Sequence, residues 1–200
     1  MRRVAAAPAG FSLVELLVSL VVGALLATSM AQFAQAMLAG VRVLEAASEA
    51  QEAARLGAQL IAGELRDAGF SPDGRLGNGV RRAAPTAVSL VRDLNGDGDS
   101  DDANEAVGFE YAADRRALMR VLGSAPPQPL LADLPADGLQ LTYFATDGTP
   151  LGGGELEATP RARIGRIVAT VTVEMRNPNP AETRPIRASQ TAAVALRNGG

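Results

Sequence analysis

The sequence predicts an α+β fold: one long N-terminal α-helix packed against an antiparallel β-sheet. Three observations carry this. Between Pro8 and Pro72 the chain contains no proline, and from Gln32 to about Asp67 Ala, Glu, Gln, Leu and Arg dominate, all good helix formers. Beyond Phe70 the pattern changes to period two, with apolar and polar residues alternating along several short runs. Gly, Pro, Asn and Asp cluster between those runs, where turns need them. A helix followed by a succession of strands is the order of an α+β domain.

The first element is a leader, residues 1–10, carrying Arg2 and Arg3. It precedes an apolar run, residues 11–31, whose one ionisable side chain is Glu15. As a helix this run spans about 31 Å, enough for a bilayer's hydrocarbon core. A secretory signal also places basic residues before an apolar run, but its small-residue cut site follows that run, whereas here Gly10 comes before it. The positive-inside rule keeps Arg2 and Arg3 cytoplasmic and sends the rest of the chain outward, into the periplasm of a cell with two membranes.

Glu15 is the anomaly in the run. A carboxylate there costs about 2.5–3.5 kcal/mol on insertion scales, so it calls for a cationic partner. A cut between Gly10 and Phe11 would supply one. The new α-amine lies four residues before Glu15, about one helical turn away, and its ordinary pKa of about 8 keeps it mostly protonated near neutral pH.

Residues 32–69 continue the helix as the spine of the head. Ala54, Ala58, Ile61, Leu65 and Ala68 repeat at four-three spacing as one apolar stripe, with Glu45, Glu49, Glu52, Arg55 and Arg66 mostly off it. The predicted helix runs from about Ser12 to Ala68, ends at a Gly69 cap and is roughly 85 Å long. Gly23, Gly40, Gly57 and Gly63 are expected weak points where it can bend. The alternative for the stripe is a coiled-coil segment.

Residues 70–200 form the β-rich head. Pro72, Gly74, Gly77 and Gly79 mark a loop. Strands are expected at 86–92, 106–111, 117–122, 139–145, 167–175 and 186–196. Pro126, Pro127 and Pro129 read as a stiff linker. Arg161, Arg163 and Arg166 form a basic cluster, either a solvated strand entry or a contact for acidic neighbouring subunits.

Composition narrows the function. Net charge is −3, and losing Arg2 and Arg3 makes the remainder more acidic, so no basic surplus points to nucleic acid. The chain has no Cys and no His, which excludes disulfides, thiol chemistry, His-based triads and His metal sites. With no Gly-rich phosphate loop and no nucleophile motif, a structural subunit is expected rather than an enzyme.

One motif points to a ligand. Asp93, Asn95 and Asp97 sit at alternate positions before Gly98, the start of an EF-hand-type loop. Asp99 can offer a backbone carbonyl and Asp101 a side chain or a bridging water, so calcium is the expected cofactor if there is one. The pattern departs at its twelfth position, Asn104, since the expected Glu comes one residue late at Glu105. The alternative is a solvated turn whose Asp, Asn and Gly simply suit turn geometry.

The stretch Gly10-Phe11-Ser12-Leu13-Val14-Glu15-Leu16-Leu17-Val18 resembles the class III signal of type IV prepilins and of the pseudopilins of type II secretion. The resemblance implies that a prepilin peptidase cuts after Gly10 and N-methylates Phe11, and that Glu15 is required for filament assembly. Arg66 to Phe70, the loop from Asp93 to Gly98 and the Val194 to Asn198 tail together resemble minor pilins of the PilW kind. That family implies a pilin-like fold and a minor type IV pilin, a structural subunit that helps initiate or cap pilus assembly; the alternative is a minor pseudopilin like the J component of type II secretion. The implied partners are the prepilin peptidase, other minor and major pilins, an inner-membrane assembly platform and inner-membrane lipid. The implied location is a single pass through the inner membrane, then the pilus or pseudopilus. A third reading, an adhesive or ligand-binding head on a pilin stalk, would need an aromatic or apolar groove, and the sequence shows no aromatic cluster of that kind.

Overall fold

The computed structural model describes residues 10–100, 102 and 104–197. Residues 1–9 of the predicted leader, Asp101 of the predicted cation loop and Asn198 of the tail lie outside the described residues.

The first helix, α1, runs unbroken over Leu13–Arg66, 54 residues or about 81 Å. Ser12 caps its start. Its end comes slightly before the predicted Ala68. The cap is Asp67, whose N–H reaches the carbonyls of Glu64 and Leu65, and Ala68 N–H bonds Leu65 O at 3.4 Å, so the last turn tightens out of α geometry. Gly69 does not cap the helix. Its N–H donates to Val91 O at 2.9 Å, tying the helix exit to the sheet. Glycine is needed there: φ is +72°, and a Cβ would lie 2.2 Å from Gly77 O.

Among the described residues eight strands follow, all pairing antiparallel, and they form two sheets rather than the one expected. β1 (Val80–Ala84), β2 (Ala87–Val91), β3 (Ala106–Ala112), β4 (Ala117–Leu122) and β5 (Gln128–Leu131) make a five-stranded meander in that order. β6 (Leu139–Ala145), β7 (Ile164–Met175) and β8 (Ile186–Ala195) make the second sheet, with a short helix α2 (Ala158–Ala162) before β7. Two elements differ from the sequence expectation for physical reasons. β1 carries a register shift between Val80 and Arg82, which breaks its alternation. The proline-rich segment read as a linker contains β5, which lies at the sheet's edge, where Pro129 removes no interior hydrogen bond.

The two sheets share one core. Tyr143 on β6 is buried, and its hydroxyl donates to Ala84 O at 2.8 Å, at the end of β1. Burial pushes that phenol's pKa well up, so it stays a donor. Leu141 N–H on β6 donates to Pro85 O at 2.7 Å in the β1–β2 turn. The helix stripe fills the other side. Ala50, Ala54, Gly57, Ala58, Ile61, Ala62, Leu65 and Ala68 are buried, and α1 packs mainly on β7 and β8. The coiled-coil alternative fails because the head's own strands cover this stripe. Gly57, expected as a bend, sits at close approach: a Cβ there would lie 3.2 Å from Leu131 Cδ2 and 3.3 Å from Val171 Cγ1. Glu64 on α1 accepts from Arg92 at 2.8 Å and also pairs with Arg120, locking the helix to β4 and to the end of β2.

Candidate functional site

The described residues start at Gly10, where an added Cβ would meet nothing within 4 Å among them. Among the described residues, no packing contact requires glycine at this position. Phe11 is 83% exposed. Ser12 Oγ accepts the N–H of Glu15 at 3.2 Å, and Ser12 N–H donates to Glu15 Oε2 at 3.0 Å. This is a reciprocal capping box, and it satisfies backbone donors that a helix start otherwise leaves open. It also holds the carboxylate beside the backbone of residue 12, one residue from the bond between Gly10 and Phe11. The sequence signal for it is Ser-x-x-Glu before an apolar run, which is missed when Glu15 is considered only as a charge.

Glu15 sits at the positive end of the helix dipole, which favours a carboxylate. Deeper in the run, the Thr28 hydroxyl donates to Ala24 O at 2.8 Å and the Ser29 hydroxyl to Leu25 O at 2.9 Å. These side chains satisfy themselves within the helix and ask nothing of a neighbour. The helix is long and apolar enough to cross a membrane, and none of its most apolar window is buried within the chain. Large apolar side chains from Phe11 to Leu44 stand exposed. Burial in the head begins at Ala50.

The acidic turn lies between β2 and β3, against the exit of α1. Asp93 is 1% exposed; its Oδ1 accepts Gly96 N–H at 2.6 Å, its Oδ2 accepts Gly98 N–H at 3.1 Å, and its own N–H donates to Phe70 O at 2.7 Å. Asn95 donates to Asp97 at 2.8 Å and to Asp102 at 2.7 Å. Asp93 and Asn95 thus shape the loop. The structure groups Asp97 and Asp99 with Glu105, whose carboxylate turns inward and is 2% exposed.

The three arginines of the expected basic cluster stand around the end of α2 and the start of β7. Arg161 lies in α2, Arg163 follows it, and Arg166 stacks over the Phe144 ring at 4.3 Å.

A family model described as the prokaryotic N-terminal methylation motif matches residues 7–31, so the chain carries that motif. No curated protein matches the chain. Among solved structures, a type IV-like pilin from Thermus thermophilus is similar at 17% identity, over 74% of this chain and 96% of that one, with a TM-score of 0.44.

Proposed function

We propose that the chain is a minor type IV pilin, a structural subunit that is cut after Gly10, methylated on Phe11 and drawn from the inner membrane into a filament, where it helps to start or cap assembly. The observation that carries this is the N-terminal methylation motif set on an unbroken, exposed apolar helix, with the Glu15 carboxylate held one residue from the cut.

The mechanism follows from the residues. Before cleavage, the apolar run anchors the chain and the head stands outside the membrane. Gly10 has no side chain, so a tight protease cleft can close around the peptide bond that follows it. Cleavage frees the Phe11 amine. Within the chain Glu15 satisfies Ser12 N–H, and between chains its remaining charge faces a neighbour's new amine. In apolar surroundings that pairing is worth more than in water, so it selects the axial stagger in which each carboxylate meets an amine.

N-terminal mass analysis of the membrane form tests the processing: the expected mature terminus is N-methylated Phe11. An intact leader in cells with active prepilin peptidase rules it out. The same terminus would serve a minor pseudopilin of type II secretion. A deletion strain separates the two, losing filaments with secretion intact for a pilin and losing secretion for a pseudopilin.

A further inference from the structure

We propose that the β2–β3 loop binds a divalent cation of the calcium class on Asp97, Asp99 and Glu105. One carboxylate oxygen from each lies within 4.8 Å of the others. Calcium takes oxygens at about 2.3–2.6 Å, so two ligands on opposite sides of the ion stand about 4.8 Å apart. All three carboxylates can therefore reach one ion without rearranging the backbone. Magnesium holds its ligands at about 2.0–2.1 Å and needs a tighter cluster.

Exposed acidic groups often sit together with no ion between them; Glu105 is what sets this cluster apart. It is 2% exposed. Its Oε1 accepts the N–H of Leu94 at 2.8 Å and of Asn95 at 3.4 Å. Its Oε2 is buried without a hydrogen-bond partner among the described residues. An oxygen left in that state costs stability, and a bound cation supplies the partner it lacks.

The loop is built to bring Glu105 in. Asn104 takes the left-handed conformation, φ +73°, and turns the backbone just before it. This is how a Glu one residue late for the EF-hand pattern still reaches the loop. Asp97 and Asp99 are exposed, which leaves the outer coordination positions to water. Arg92 N–H donates to Glu105 O at 2.9 Å, and Asp93 N–H to Phe70 O, so an ion here would brace the loop against the exit of α1.

The test is calorimetry and thermal melting of the full chain in detergent micelles, stripped with chelator and then given calcium chloride or magnesium chloride. At about 1 mM, calcium should raise Tm by mass action and magnesium should raise it less. Glu105→Gln keeps an oxygen for Leu94 N–H and removes the charge. Asp97→Asn with Asp99→Asn keeps the loop's acceptors. Each should weaken calcium binding by about tenfold to a hundredfold, the range that losing even an outer partner of a metal site causes. Asp114→Asn, in the β3–β4 turn, should leave binding unchanged. If Glu105→Gln fails to fold, the double Asp variant decides alone. No calcium-dependent shift, an equal shift with magnesium, or a shift that survives the double Asp variant would overturn the proposal.

Discussion

The capping role of Glu15 and its proposed role in assembly can be separated by substitution. As the N3 residue of α1 it accepts Ser12 N–H at 3.0 Å, and in the proposed filament its carboxylate pairs with a neighbouring amine. Glu15→Ala removes both; Glu15→Gln keeps the hydrogen bond, since Gln also serves at this position of a capping box, and removes only the charge. For the membrane form, losing the cap costs the helix start about 1 kcal/mol. Removing a carboxylate from the apolar run recovers about 2.5–3.5 kcal/mol. Both variants should therefore insert at least as well as the wild type. In the filament the balance reverses. Taking one partner from a desolvated ion pair costs about 3–5 kcal/mol. At about 1.4 kcal/mol per tenfold, incorporation should fall by about 10²-fold or more. The assay is immunoblotting of membrane and sheared-filament fractions in cells lacking the native copy. Both variants should stay in the membrane and be lost from filaments. If Gln enters filaments at the wild-type level and Ala does not, Glu15 acts as a helix cap and the charge pairing is wrong. If both enter normally, neither role matters to assembly.

Two further predictions concern the head. At Gly57, Ala has only flexible side-chain tips to displace and gains about 1 kcal/mol of helix propensity, so its Tm should stay close to wild type, whereas Val should destabilise by about 1–3 kcal/mol through overpacking against Leu131 and Val171; a Val variant as stable as wild type would mean that helix and sheet are not in close contact there. Glu174 on β7 accepts from Arg187 at 2.8 Å and Arg116 at 3.1 Å, and these bonds hold its carboxyl below the usual glutamate range. A carboxylate lowered in this way stabilises the fold above the unfolded-state value and loses that contribution as pH falls through its own lowered pKa, so melting curves should show Glu174→Gln losing less Tm than wild type between about pH 6 and pH 3; parallel losses would refute the linkage.

What was legible in the sequence was whatever repeats. The stripe through Ala54, Ala58, Ile61 and Leu65 and the alternation through Leu139, Leu141 and Tyr143 both name their buried faces correctly, because a helix or strand packed on one side must repeat its apolar residues at its own period. What was illegible broke the period or depended on distant partners. β1 is hidden by its register shift, and β5 by prolines that only an edge strand tolerates. Gly57 looked like a hinge because sequence alone does not reveal that Leu131 and Val171, far along the chain, come to rest against it. In the acidic loop the residue types were visible, but the grouping was not. Asp93 opens the motif yet spends both oxygens on backbone amides, while Glu105 comes one residue late and is carried inward by the left-handed turn at Asn104.

The helix itself is the strongest argument for assembly. From Ala50 onward its apolar face is covered by the head, and before Leu44 nearly every large apolar side chain is bare. Each such side chain is worth about 1.5–3 kcal/mol when fully buried, so the exposed half cannot rest in water. A bilayer covers the apolar surface but leaves the Glu15 charge without a partner. A bundle of identical helices can do both, since neighbouring Leu and Val side chains bury one another and a staggered neighbour brings its amine to the carboxylate. If only the bilayer were needed, Glu15 would be a pure cost, removable by Ala with no loss beyond a helix cap. The proposed filament would give that charge a function, which is why the Gln and Ala variants, compared in membrane and filament fractions, distinguish an anchor from an assembling subunit.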